Sequence, residues 1–311
     1  MRARDRAGRQ WALVGLAVPA MLGVIAGCSE ILGIQSDRVL DAGLTDTASG
    51  LDGGPWGCLG QPPPLFSPNA MTTVTVLAVD ALQPITSAED VDGGSALDLI
   101  GYTPLPGLAV RACPSVTDLA CTDGTATAQT DEAGTAMFAL PQSWDGFYQL
   151  DDPDLFTTAV YPGRMLAGQT SITVGVPVLS LTGEMELEAV LPVRLSHDLD
   201  GGLGHVIIAV YDCQDHLAPG VQFRSAVASD ESYPTTVFYV AGNLGQGIPS
   251  TTASSTDQEG AGGILNVPTG LQSITASLPA TASAPARTLG AINVLISPGV
   301  AVQLFVRTRT E

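Results

Sequence analysis

The sequence predicts an all-β protein: two β-sandwich domains in tandem, behind an export signal and a disordered tether. Three observations predict it. Short apolar runs with strand-like alternation recur along the chain; 35 Gly and 22 Pro punctuate them; and a turn of the form T-D-x-x-G is spelled twice, at Thr130–Gly134 and Thr256–Gly260. A hydrophobic content of 45% with only 5% aromatic residues suits cores of Val, Ile, Leu and Ala.

The expected strands follow in order. M-T-T-V-T-V-L-A-V at Met71 alternates around Val74, Val76 and Ala78. G-L-A-V-R-A-C at Gly107, T-A-M-F-A-L at Thr135, D-G-F-Y-Q-L at Asp145 and S-I-T-V-G-V-P-V-L at Ser171 complete the first series. G-E-M-E-L-E-A-V-L after Thr182 has the spacing of two helical turns. A second series opens with H-V-I-I-A-V-Y-D at His205 and G-V-Q-F-R-S-A-V at Gly220, then T-V-F-Y-V at Thr236 and G-I-L-N-V-P at Gly263. It closes with L-Q-S-I-T-A-S-L at Leu271, A-I-N-V-L-I at Ala291 and V-A-V-Q-L-F-V at Val300.

The two series align. V-L-A-V-D ending at Asp80 matches I-A-V-Y-D ending at Asp212, and P-L-P-G-L-A-V-R-A at Pro104 matches L-A-P-G-V-Q-F-R-S at Leu217. T-D-E-A-G-T-A-M-F-A-L-P matches T-D-Q-E-G-A-G-G-I-L-N-V-P, and the order is kept in both copies. Unequal spacing between the matches is what loop insertions in a duplicated domain produce. In each pentad the Asp (Asp131, Asp257) accepts from backbone N–H groups, and the Gly (Gly134, Gly260) takes the left-handed conformation that closes the turn. The expected partition is a signal over residues 1–27, a tether over 28–56, sandwiches over 57–182 and 203–311, and a linker with a short helix over 183–202.

The amino end carries Arg2, Arg4, Arg6 and Arg9, then an apolar run shorter than a membrane span and broken by Pro19 and glycines. I-A-G-C at Ile25–Cys28 resembles the lipobox of bacterial lipoproteins. The resemblance implies cleavage before Cys28 and acylation of its thiol, with two or more acyl chains needed for stable anchoring. By analogy with lipoprotein sorting in Gram-negative bacteria, the resemblance also implies the outer membrane of the cell envelope, since Ser29 and not Asp follows the cysteine. The polar, acidic stretch 29–55 reads as a flexible tether with a reach of roughly 25 to 30 Å. Loss of residues 1–27 takes the net charge from -19 to -22, which is the wrong sign for nucleic acid.

The repeated P-G and T-D-x-x-G elements resemble the carboxypeptidase regulatory-like domain, a transthyretin-like Greek-key β-sandwich. W-G-C-L-G at Trp56, R-A-C and Y-D-C look like lipoproteins that carry such domains in tandem. The resemblance spans most of 70–160 and 203–280 and implies accessory modules without catalytic residues or cofactors.

Export places the cysteines in an oxidising compartment. Cys113 and Cys121 are spaced to staple a loop, worth about 2 to 3 kcal/mol, while Cys58 and Cys213 either pair between the modules or stay free. Of His197, His205 and His216, the first two flank Asp198 and Asp200 in H-D-L-D-G-G-L-G-H, a grouping that could take a metal but reads first as solvated loop, and D-V-D-G-G at Asp90 and D-L-D-G-G at Asp198 lack the later acidic ligands of a calcium loop. No metal site is expected. No G-x-S-x-G or H-E-x-x-H occurs, and all 12 basic residues are Arg, so lysine-dependent phosphate loops and isopeptide crosslinks are excluded. The chain is therefore expected not to be an enzyme. The partner expected is an envelope protein or a glycan, with a carbohydrate-binding module as the alternative. A core role suits Trp144 best, but Trp144 with Tyr148 is the first choice for an exposed ligand contact, followed by Tyr233, Phe238 and Tyr239.

Overall fold

The computed structural model describes residues 55–59, 70–84, 102–114, 121, 126–155, 157–163, 170–178, 202–214, 216–226, 234–241, 248–258, 260–281, 285–298 and 300–307. The signal, Cys28, the tether to residue 54, the helical stretch after Thr182 and the Asp90 and Asp198 loops lie outside them. Every regular element among the described residues is a β-strand.

The first series supplies β1 (Met71–Pro84), β2 (Tyr102–Pro104), β3 (Ala109–Cys113) and β4 (Ala126–Gln129), followed by β5 (Thr135–Pro141), β6 (Phe147–Asp151), β7 (Thr157–Tyr161) and β8 (Ser171–Val178). The second supplies β9 (Gly204–Tyr211), β10 (Gln222–Ser225), β11 (Thr236–Ala241) and β12 (Ile248–Ser250), then β13 (Ala261–Val267), β14 (Gly270–Leu278), β15 (Arg287–Ile296) and β16 (Val300–Arg307). Alternation does what it predicts in β5, where Ala136, Phe138 and Leu140 turn inward while Met137 is 64% exposed.

Pairing repeats between the two series. β1 lies between antiparallel β5 and parallel β8, and β9 lies between antiparallel β13 and parallel β16. β3 pairs antiparallel with β6, as β10 does with β14. The second series adds β11 and β12 on the free edge of β13, built from the extra residues between Gly220 and Thr256.

The sandwiches are fused. β7 pairs in parallel with β16, from Thr157 opposite Val300 to Tyr161 opposite Leu304. This joins one sheet of each module into a nine-stranded sheet of order β12-β11-β13-β9-β16-β7-β6-β3-β4. The sheet of β1, β2, β5 and β8 covers one face of it, and one core accordingly runs from Tyr148, Leu150 and Val160 across the seam to Phe305, Ala209 and Phe238. β10, β14 and β15 cover the opposite face, over a core running from Phe147, Ala159 and Tyr161 to Leu304, Ile208 and Ile264. The two cores are thus not independent, as a simple tandem array would have them. Polar contacts tie the layers: the Gln303 amide donates to the Pro177 carbonyl at 2.6 Å, and the Leu295 N–H donates to the Tyr161 hydroxyl at 3.1 Å.

Strand direction fixes two poles. β6 is antiparallel to both β3 and β7, and β7 and β9 are both parallel to β16. So β3, β7, β16 and β9 all run the same way. The Thr130–Gly134 turn lies at the pole where these strands begin, and the Thr256–Gly260 turn lies where they end, beside Tyr211 and Arg307.

Candidate functional site

Two features gather the distinctive residues of the sequence: the paired turns and a disulfide-held strap. In the first turn the Thr130 N–H and C=O bond Leu108 and Gly107, at 3.0 and 2.8 Å. Its hydroxyl accepts from the Leu108 N–H at 2.9 Å and donates to the Leu105 carbonyl. The second turn repeats this set. Thr256 bonds Val221 and Gly220 through its backbone at 2.9 and 2.7 Å; its hydroxyl accepts from the Val221 N–H at 2.9 Å and donates to the Ala218 carbonyl at 2.7 Å. Each buried Thr thus locks its pentad to the Pro-Gly turn ahead of the neighbouring strand.

The glycines are equally matched. Gly134 (φ +73°) and Gly260 (φ +55°) place their carbonyls on the N–H groups of Ala78 and Val210, each at 2.9 Å. A Cβ at Gly134 would meet the Ala78 carbonyl at 2.6 Å, and one at Gly260 would meet the Ala218 nitrogen at 2.7 Å. Asp131 accepts from the N–H groups of Ala133 (3.0 Å) and Thr135 (2.9 Å) and from the Thr135 hydroxyl (2.7 Å). The Thr135 N–H, then its hydroxyl, hold the exposed carboxyl below the usual aspartate range. Asp257 accepts from the Gly260 N–H through its main-chain carbonyl at 3.0 Å.

Both cysteine pairs are closed: Cys113–Cys121, eight residues apart, and Cys58–Cys213, 155 apart. The second corrects the placement of the W-G-C-L-G segment at the start of the first sandwich. Residues 55–59 instead lie on the second module, with the Cys213 N–H donating to the Pro55 carbonyl at 2.9 Å and the Arg287 guanidinium to the Leu59 carbonyl at 3.3 Å. Trp56 and Leu59 pack against the core beneath β10, β14 and β15.

Trp144 and Tyr148 are not exposed contacts. They are 7% and 0% exposed, with ring centroids 4.9 Å apart inside the first core. The S-W-D-G turn reads as a surface loop, but it folds the indole back over Gly146, where a Cβ would meet the ring at 2.6 Å. Burial raises the Tyr148 hydroxyl well above its ordinary value and pushes Tyr161 up to about 12. Phe238 and Tyr239 are buried as well, and Tyr233 lies outside the described residues. His205 accepts from the Asn266 N–H at 3.4 Å, and the His216 N–H donates to Asp212 at 2.9 Å. Among the described residues no three His, Cys, Asp or Glu side chains are placed to hold a metal ion.

No family model matches the chain, and no curated protein does. Solved structures give distant likenesses. The shaft pilin SpaA of Lactobacillus rhamnosus GG shares 10% identity over 77% of this chain and 97% of its own, with a TM-score of 0.23. The Bacillus anthracis TIE protein shares 14% over 78% of this chain and 34% of its own, at 0.22. The minor pilin of Streptococcus agalactiae shares 13% over 76% and 95%, at 0.20. Scores this low transfer neither residue roles nor function.

Proposed function

We propose that this chain is a lipid-anchored bacterial envelope protein, tethered through Cys28 and built from regulatory-like β-sandwiches that serve a structural or adhesive role without catalysis. The observation that supports this most directly is the closure of both disulfides, the state that an exported chain reaches and a cytosolic one rarely does. It agrees with the I-A-G-C motif and the arginine-led apolar segment. The buried, hydrogen-bonded side chains of the paired turns serve architecture, which leaves the exposed loops at the poles to meet a protein or glycan of the envelope. The net charge keeps nucleic acid out of that set.

Mass spectrometry of the membrane-extracted protein tests the anchor. An acylated N-terminal Cys28 is expected, and Cys28→Ser should move the body into the soluble fraction. An unmodified Cys28, or membrane retention of the variant, overturns it.

A further inference from the structure

The two disulfides differ in access. Cys113 and Cys121 are 0% and 5% exposed, whereas Cys58 and Cys213 are both half-buried. Thiol–disulfide exchange requires a thiolate to reach one sulfur along the S–S axis, so access sets which bond opens first. The accessible bond is also the one that fixes the strap. Without it, the five residues would be held by main-chain contacts at Pro55, Cys58 and Leu59 and by two half-buried side chains, against the entropy of a free chain.

We propose that residues 55–59 form a redox-releasable strap, opened at Cys58–Cys213 by a dithiol reductant of the thioredoxin-like oxidoreductase class while Cys113–Cys121 stays closed. A reductant thiolate attacks one sulfur and forms a mixed disulfide, releasing the other cysteine as a thiolate. The reductant's second thiol then displaces the remaining cysteine. Two electrons and two protons pass to the protein, which ends with two thiols, and the reductant ends as its disulfide. With the strap closed, residues 55–59 hold the chain to the second module; with the strap open, the first described attachment is β1 of the first. That the chain ahead of residue 55 leads to a membrane rests on the lipidated Cys28 proposed above; the strap itself does not.

The chain has three tryptophans, Trp11, Trp56 and Trp144. The full chain carrying Trp11→Phe, Cys28→Ser and Trp144→Phe leaves Trp56 as its single indole and needs no lipid. Dithiothreitol titration followed by alkylation and peptide mapping should label Cys58 and Cys213 at concentrations that leave Cys113 and Cys121 unlabelled. Acrylamide quenching of Trp56 should rise about threefold in the same step. The mapping is repeated with Trp144 retained, so that an effect of that substitution on the core is recognised. Simultaneous opening of both bonds, earlier opening of Cys113–Cys121, or unchanged Trp56 quenching after Cys58–Cys213 opens would each overturn the strap. Cys28 acylation is read on the unsubstituted chain, so failure of the anchor leaves this result standing.

Discussion

Replacing Cys113 and Cys121 by alanine should destabilise the protein more than replacing both cysteines of the long bridge, Cys58→Ala with Cys213→Ala. The bridges close loops of very different length, since their partners lie 155 and 8 positions apart. In the unfolded chain, loop-closure entropy gives about 5 kcal/mol for the long bridge and about 2.6 kcal/mol for the short one at 25 °C. Without the long bridge, however, the strap is also free in the folded body, which returns about 3 kcal/mol for the roughly 13 residues between Cys58 and β1 and leaves about 2 kcal/mol. Cys113 and Cys121 are buried, so alanine there adds a void costing on the order of 1 kcal/mol. Melting should fall by about 4 to 8 °C for the long-bridge variant and about 7 to 14 °C for the other, using 2 to 4 °C per kcal/mol for a body of this size. Calorimetry on the oxidised proteins measures both. A larger loss from the long bridge would refute the reasoning, because the strap would then stay on the folded body without its bond.

Two further predictions concern the paired turns. Thr130→Val and Thr256→Val keep shape but strip the buried N–H groups of Leu108 and Val221 of their acceptor, so urea denaturation should show a loss of about 1 to 3 kcal/mol for each, with Ser restoring part of it. Gly134→Ala meets the Ala78 carbonyl as well as an unfavourable backbone conformation, whereas Gly107→Ala (φ +76°) finds nothing within 4 Å. Denaturant midpoints should show only the backbone cost of about 1 to 2 kcal/mol at Gly107 and distinctly more at Gly134.

Strands with one solvent-facing side were legible in the sequence, because outward polar and inward apolar residues alternate there, as in β5. β7 was not. T-T-A-V-Y has both faces covered, so it shows no period, and it is only five residues long. Missing it also hides the seam, since the fusion of the modules runs through that strand. β2, β4 and β12, each of three or four residues, escaped for want of length. In the turns, the repeat pointed to Asp and Gly, whose backbone roles follow from residue type. The Thr ahead of them recurs in both copies, but its role depends on a carbonyl 25 positions back in one copy and 38 in the other. The partner of Cys58 was open for the same reason: local spacing says nothing about a residue 155 positions away.

The parallel seam has a mechanical consequence. With the second module held at Cys213 and the first drawn away at the pole of the Asp131 turn, β7 and β16 are pulled in opposite directions along their own axes. The hydrogen bonds between them then bear the load together, in shear, instead of parting one by one as in an unzipping hairpin. A joint of only five residue pairs becomes the element that sets how much tension the body withstands before its halves slide apart.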